Sequence, residues 1–292
     1  MPATSSSSTV PPLPRAEVVD VGGVPVATYV LEPRGGAHRG DVVLCHGTPW
    51  SSQVWSRAAH ELSREHRVLL WDMPGYGRSR VAPDVALDLR SQSQRLGALL
   101  EHWGASERHV VAHDVGGAVA LGAHLLDGVD LGALFLWDAV VLDPWGSAFF
   151  RLVAEHEQVF AVLPAALHAA LVREYVSGAA AGALHAAWLE ALVEPWLGEP
   201  AQAAFYRQVA QLAAADTGQL VAGLGEVRCP VRIGWGAEDP WLPAEQAHRL
   251  RELLPGESPV VVVPGTGHLV PVERPGAVLE ALRAWLTAPG GV

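Results

Sequence analysis

Along most of the 292-residue chain, short apolar runs alternate with stretches of helical periodicity. That alternation constrains the fold more than any other feature. A short run that is apolar throughout suits a strand buried on both faces, and parallel strands need a crossover element between them. Runs at 18–21, 24–31, 42–45, 68–71, 109–113, 131–137, 231–235 and 259–263 read as eight strands. Gly22-Gly23 is the turn between the first two. Helical patterns fall at 52–63, 88–103, 116–126, 243–253 and 272–286; the second sets Leu89, Leu96, Leu99 and Leu100 on one face. The expected fold class is α/β, with a mostly parallel, doubly wound sheet carrying helices on both faces.

The rhythm breaks at about Asp143. From 143 to 225 the chain is rich in Ala and Leu, has no strand-like run, and is punctuated by Pro164, Gly178, Pro195 and Pro200. This predicts an inserted all-helical segment of about four helices, with the core divided into 16–142 and 226–292. Ligands of open parallel sheets bind beyond the carboxyl ends of the strands. An insertion leaving after the sixth strand would roof that end and enclose a pocket.

Composition removes several function classes. All 20 basic residues are Arg, which excludes a lysine nucleophile, a Schiff base and a P-loop lysine. Acids outnumber bases 31 to 20 and no Arg cluster forms a stripe, so no nucleic-acid partner is expected. No apolar stretch has the length of a membrane span. Cys45 and Cys229 lie too far apart in sequence to suggest a disulfide framework or metal site and read as buried small residues. Residues 1–15 are rich in Ser and Pro without an apolar h-region. They read as a flexible tail, and the chain is expected to be cytoplasmic.

Four segments at the carboxyl ends of expected strands carry polar or Gly-rich residues that a core does not need. The first is Val110-Val-Ala-His-Asp114-Val-Gly-Gly117, a strand, a sharp turn and a helix. Small residues at Ala112 and Gly116, two positions either side of Asp114, suit a nucleophile elbow in which strand and helix backbones come close. The helix N-terminus behind Asp114 favours an ionised carboxylate that can attack saturated carbon; an ordinary N-cap would use the same residue. The second is His46-Gly-Thr-Pro49, where the Thr48 amide can face the Val115 amide as an oxyanion hole. The third, Gly236-Ala-Glu-Asp239-Pro240, sets Asp239 to orient a base; Asp138, after the sixth strand, is an alternative acid. The fourth, Pro264-Gly-Thr-Gly-His268, presents His268 on a Gly-bounded loop as general base.

In this order the four segments resemble the α/β-hydrolase fold, from about Val18 to Leu286, with an eight-stranded sheet and residues 143–225 as a helical cap. The His113-Asp114 pair resembles the branch with Asp nucleophiles, epoxide hydrolases and haloalkane or haloacetate dehalogenases. That resemblance implies an aspartyl-ester intermediate hydrolysed by water, with no metal or organic cofactor. It implies epoxide opening first, with the cap residues Tyr175 and Tyr206 as proton donors. Carbon–halogen hydrolysis is the alternative, since Trp50 or Trp145 could donate to a halide. Dehalogenases of this type place Trp or Arg where this chain has Val115, and often Asn where it has Thr48. His46, Trp50, His113 and Trp145 are expected at the substrate pocket. The expected partners are a small, uncharged, hydrophobic substrate and water, with a homodimer left open. Plain esterase activity and ligand binding without turnover are further alternatives.

Overall fold

The computed structural model describes residues 9–36, 38–105 and 108–288. Eight strands form one sheet: β1 (Glu17–Val21), β2 (Val24–Leu31), β3 (Asp41–Cys45), β4 (Arg67–Trp71), β5 (His109–His113), β6 (Ala133–Trp137), β7 (Val231–Gly236) and β8 (Val260–Val263). Their order is β1-β2-β4-β3-β5-β6-β7-β8. Only the β1–β2 and β2–β4 pairs are antiparallel; the other five pairs are parallel. The β1–β2 turn is Gly22-Gly23, both at positive φ, a conformation without penalty for glycine. Central β3 and β6 are buried at every position, which is why their sequences read as unbroken apolar runs rather than alternating ones.

The core helices follow as α1 (Ser56–Leu62), α2 (Leu89–His102), α3 (Val115–Leu125), α9 (Glu245–Leu253), α10 (Val270–Glu273) and α11 (Pro275–Thr287). α2 packs on α3, and α1 on α11. The expected 52–63 helix begins as a 3₁₀ turn at Ser52–Trp55. The expected 272–286 helix is divided into α10 and α11 at Arg274, whose φ and ψ are not helical; Pro275 then starts α11.

Between β6 and β7 the described residues hold no strand. They form α4 (Ala148–Ala161), α5 (Ala165–Ser177), α6 (Ala186–Val193), α7 (Ala201–Ala210) and α8 (Gly218–Gly223), with 3₁₀ turns between them. This is one helix more than the sequence reading anticipates. The punctuation is used as expected: Pro164 precedes α5, Gly178 caps its end, and Pro200 precedes α7. α4 packs against α7 and α5 against α6. The segment is fastened to the core where Trp196 donates to the Pro49 carbonyl (2.7 Å) and Arg80 to the Pro195 carbonyl (2.7 Å).

The proposed 1–15 tail needs correction over its second half. The carbonyls of Thr9, Pro11 and Pro12 accept hydrogen bonds from Arg57, Gln53 and His60. Proline-rich backbone has few donors but keeps its carbonyls, and these side chains use them. Residues 1–8 lie outside the described residues. Both cysteines are buried and free. No described helix is long and apolar enough to cross a membrane.

α3 meets the β3 end very closely. A Cβ on Gly116 would sit 2.4 Å from the His46 carbonyl oxygen and 3.1 Å from that of Cys45. Backbone cannot yield as a side-chain tip can. Gly116→Ala is therefore expected to destabilise the protein by roughly 1–3 kcal/mol, read as a lower urea midpoint.

Candidate active site

Asp114 ends β5 and caps α3, with φ 56° and ψ −129°. Asp138, after β6, has φ 42°. These are the two described non-glycine residues at positive φ. Strain of this kind persists where surrounding structure enforces it, typically at functional sites. Gly47 permits the approach of the β3 loop, since a Cβ there would lie 2.3 Å from Asp114 Cβ.

The two Asp114 oxygens face different partners. Oδ1 accepts from the Val115 amide and, at 3.5 Å, from the Thr48 amide. Oδ2 lies 2.8 Å from His268 Nε2. On the far side of the ring, Nδ1 meets Asp239 Oδ2 at 2.8 Å. Asp239 Oδ1 is fixed by the amides of Trp241 (2.8 Å) and Leu242 (2.9 Å). The ring of His268 is fully buried.

Electrostatics follow from this row. Burial alone would push His268 down, but the Asp239 charge and the hydrogen bonds to Asp114 and Asp239 prevail and hold its pKa well above the usual imidazole value. Burial likewise opposes ionisation of Asp239; the His268 charge and three hydrogen bonds overcome it and keep the carboxyl below its ordinary range. Asp138 goes the other way. Burial, then the Asp239 charge beside it, push its carboxyl well above the ordinary range. Asp138 is thus not the acid that orients His268: its Oδ1 is occupied by the Gly236 amide (2.7 Å), and the Nδ1 bond goes to Asp239.

A cavity of about 340 Å³ opens over Asp114, between the strand ends and the helical segment. Its lining includes Thr48, Val115, Trp145, Phe150, Tyr175, Trp241, Leu242 and His268. Apolar and aromatic walls with a few convergent polar groups are the usual make-up of a small-molecule site. None of Arg151, Arg173 and Arg207 lines it.

Of the two tyrosines singled out from sequence, only Tyr175 lies at the cavity. Its ring stacks on Trp241 with centroids 4.8 Å apart. Its hydroxyl has no hydrogen-bond partner among the described residues. Burial, then the Asp114 charge, raise its pKa well above the ordinary phenol value, so it stays protonated. Tyr206 instead donates to His168 Nδ1 (2.9 Å) within the helical segment. Burial pushes it up to about 12.

Four further expectations change. His46 is spent on scaffolding: the Met73 amide donates to its Nε2 (2.9 Å) and its Nδ1 donates to the Gly47 carbonyl (2.8 Å). His113 Nε2 donates to the His268 carbonyl (2.8 Å), and burial with the adjacent His268 lowers its pKa to about 4. Neither lines the cavity, and neither does Trp50, which stacks behind Trp241 at 5.8 Å. Trp145 does line it, but its indole N–H is given to Thr217 Oγ1 (3.1 Å).

Sequence reasoning missed Trp241, Tyr76 and Gln208. Trp241 lies two residues after Asp239, and Tyr76 sits in the turn after β4; both were within reach of the rule that ligands gather at strand carboxyl ends. Gln208, on α7, gave no local signal. Its Oε1 accepts from both Thr48 Oγ1 (2.7 Å) and Tyr76 Oη (2.6 Å), contacts made only by folding.

Known proteins bear on this geometry. The solved structure of an α/β-hydrolase-fold protein from Burkholderia ambifaria is 41% identical, with a TM-score of 0.86, over 92% of this chain and 97% of that one. A dihydrolipoyllysine-residue acetyltransferase component of an acetoin cleaving system, from Pseudomonas putida, is 27% identical over 94% of this chain and 70% of its own. A fluoroacetate dehalogenase from a Burkholderia species is 34% identical over 104 residues, 34% of this chain and 33% of its own. Residues 42–281, from β3 into α11, match the sequence pattern of the Alpha/beta hydrolase family, and the chain belongs to that family.

Proposed function

We propose that the protein hydrolyses a small, uncharged epoxide to a vicinal diol through an ester of Asp114. The observation that carries this reading is the division of labour at Asp114. Oδ1 faces two backbone donors while Oδ2 faces the base and the cavity. Oδ2 attacks an epoxide carbon and the C–O bond opens. The released oxygen takes the proton of Tyr175, the unpaired hydroxyl at the cavity. Water then attacks Cγ of Asp114, the Thr48 and Val115 amides stabilise charge on Oδ1, and the diol leaves with Oδ2.

The same electrostatics time the steps. In the resting protein two carboxylates hold the proton on His268. Esterification removes the Asp114 charge, so His268 loses part of that support and releases its proton through solvent, which balances the one given by Tyr175. Neutral His268, aligned by Asp239, then accepts a proton from the attacking water.

A second reading, carbon–halogen hydrolysis by the same ester, draws support from the likeness to fluoroacetate dehalogenase and from Trp241. Trp241 lines the cavity, and its indole N–H has no partner among the described residues. The lack of an arginine at the described lining favours an uncharged substrate over a haloacetate.

His268→Gln is expected to accumulate a protein adduct heavier by one substrate, located on Asp114 by peptide mass spectrometry. A single wild-type turnover in heavy-oxygen water should leave label in the Asp114 side chain; diol formed without label there refutes the ester. Tyr175→Phe should slow epoxide opening on the order of 10²–10⁴-fold, the usual worth of a positioned proton donor, and Tyr206→Phe should not. If the substrate is a halide, Trp241→Phe takes that loss instead, and Tyr175→Phe is spared. In stopped-flow kinetics, ester hydrolysis should rise with pH as His268 deprotonates in the esterified protein, while ester formation should lack that rising limb.

A further inference from the structure

Asp138 takes no part in the steps above, yet it lies against them. It is fully buried and held at φ 42°, a conformation that a residue without a local role would avoid. One oxygen of Asp138, one of Asp239 and a ring nitrogen of His268 all lie within 4.8 Å of one another. Two carboxyl groups this close in a buried site do not both ionise; one keeps a proton. The hydrogen bonds decide which. Asp239 accepts three, from two backbone amides and His268. Asp138 accepts one, from Gly236; its Oδ2 receives none, and the side chain within hydrogen-bonding reach of its carboxyl is Asp239. The better-solvated carboxylate carries the charge and the poorer one carries the proton.

We propose that Asp138 is a positioning residue that keeps a proton in the resting protein and presents it to Asp239, so that the pair bears one negative charge. A neutral donor beside Asp239 withdraws charge from the oxygen that faces His268. The base is then weaker than a lone Asp239 would make it, and much weaker than two carboxylates would. The direction found for Asp138, raised by burial and by Asp239, agrees with this assignment. The groups that bear on it are Asp239 after β7, His268 after β8, Asp114 across the His268 ring and neutral His113 at the end of β5.

The value of a weaker base rests on the ester reading, but the protonation of Asp138 does not, and it is tested in the resting protein without substrate. Infrared difference spectra at neutral pH, wild type against Asp138→Asn, should contain a protonated-carboxyl C=O band that shifts in heavy water. Asparagine tolerates the backbone conformation and supplies a neutral donor of the same shape. Imidazole titration of His268 by nitrogen NMR should therefore be unchanged in Asp138→Asn. In Asp138→Gly, which suits φ 42° but removes the donor, the His268 pKa should rise by about half a unit to one unit. A thermal melt confirms that each variant is folded. An ionised Asp138 predicts the opposite: no band, and a fall in the His268 pKa in both variants, because an anion has been removed. An unmoved His268 pKa in Asp138→Gly would overturn the positioning role. Failure to trap any ester in His268→Gln would sink the proposed reaction and leave the infrared result standing.

Discussion

The contact between His268 Nε2 and Asp114 Oδ2, 2.8 Å long and fully buried, is the interaction on which the site depends. A buried imidazolium alone is unfavourable, and so is each buried carboxylate. In a row of acid, base and acid each becomes the solvation of the next. Much of the architecture exists to hold that row. β5 brings Asp114, the β7 loop brings Asp239 and the β8 loop brings His268, all at one end of a parallel sheet. The backbone at Asp114 is held in its strained conformation from the β6 side, where its amide donates to the Trp137 carbonyl (3.1 Å) and its carbonyl accepts from the Val140 amide (3.0 Å).

The sheet was legible in the sequence because its central strands are buried on both faces and so contain little except apolar residues. The row of Asp114, His268 and Asp239 was legible as a candidate site because these residues interrupt that pattern at strand ends where a core has no use for them. The choice between Asp138 and Asp239 was not. Both follow a strand, and only the folded structure separates them: Asp239 meets His268 Nδ1 and receives the amides of Trp241 and Leu242, while Asp138 receives the Gly236 amide. Tyr175 and Tyr206, both in the helical segment, were indistinguishable for a similar reason. An amphipathic residue on a helix can turn to a cavity or to a neighbouring helix, and His168 on α5 claims Tyr206. His46 and His113 misled because a polar residue next to a catalytic one suggests chemistry, whereas here each meets the backbone's own need for partners.

Membership of the Alpha/beta hydrolase family fixes the scaffold and leaves the bond to be broken undecided. That choice lies in few atoms. Opening a strained ring needs an acidic proton at the departing oxygen; releasing a halide needs only a polar hydrogen aimed at it. Among the described lining residues, Tyr175 has an unpartnered hydroxyl and Trp241 an unpartnered indole N–H, and their rings stack upon each other. The two proposed reactions thus differ in the group that must meet the leaving atom and not in the fold.

Gln208 has a bearing on how the helical segment is held to the core. Its carbonyl is the shared acceptor for Thr48, whose amide faces Asp114, and for Tyr76 on a second core loop. Because Gln208 lies on α7, a single amide oxygen joins the helical segment to the loops after β3 and β4, and the three would loosen together if that side chain were shortened.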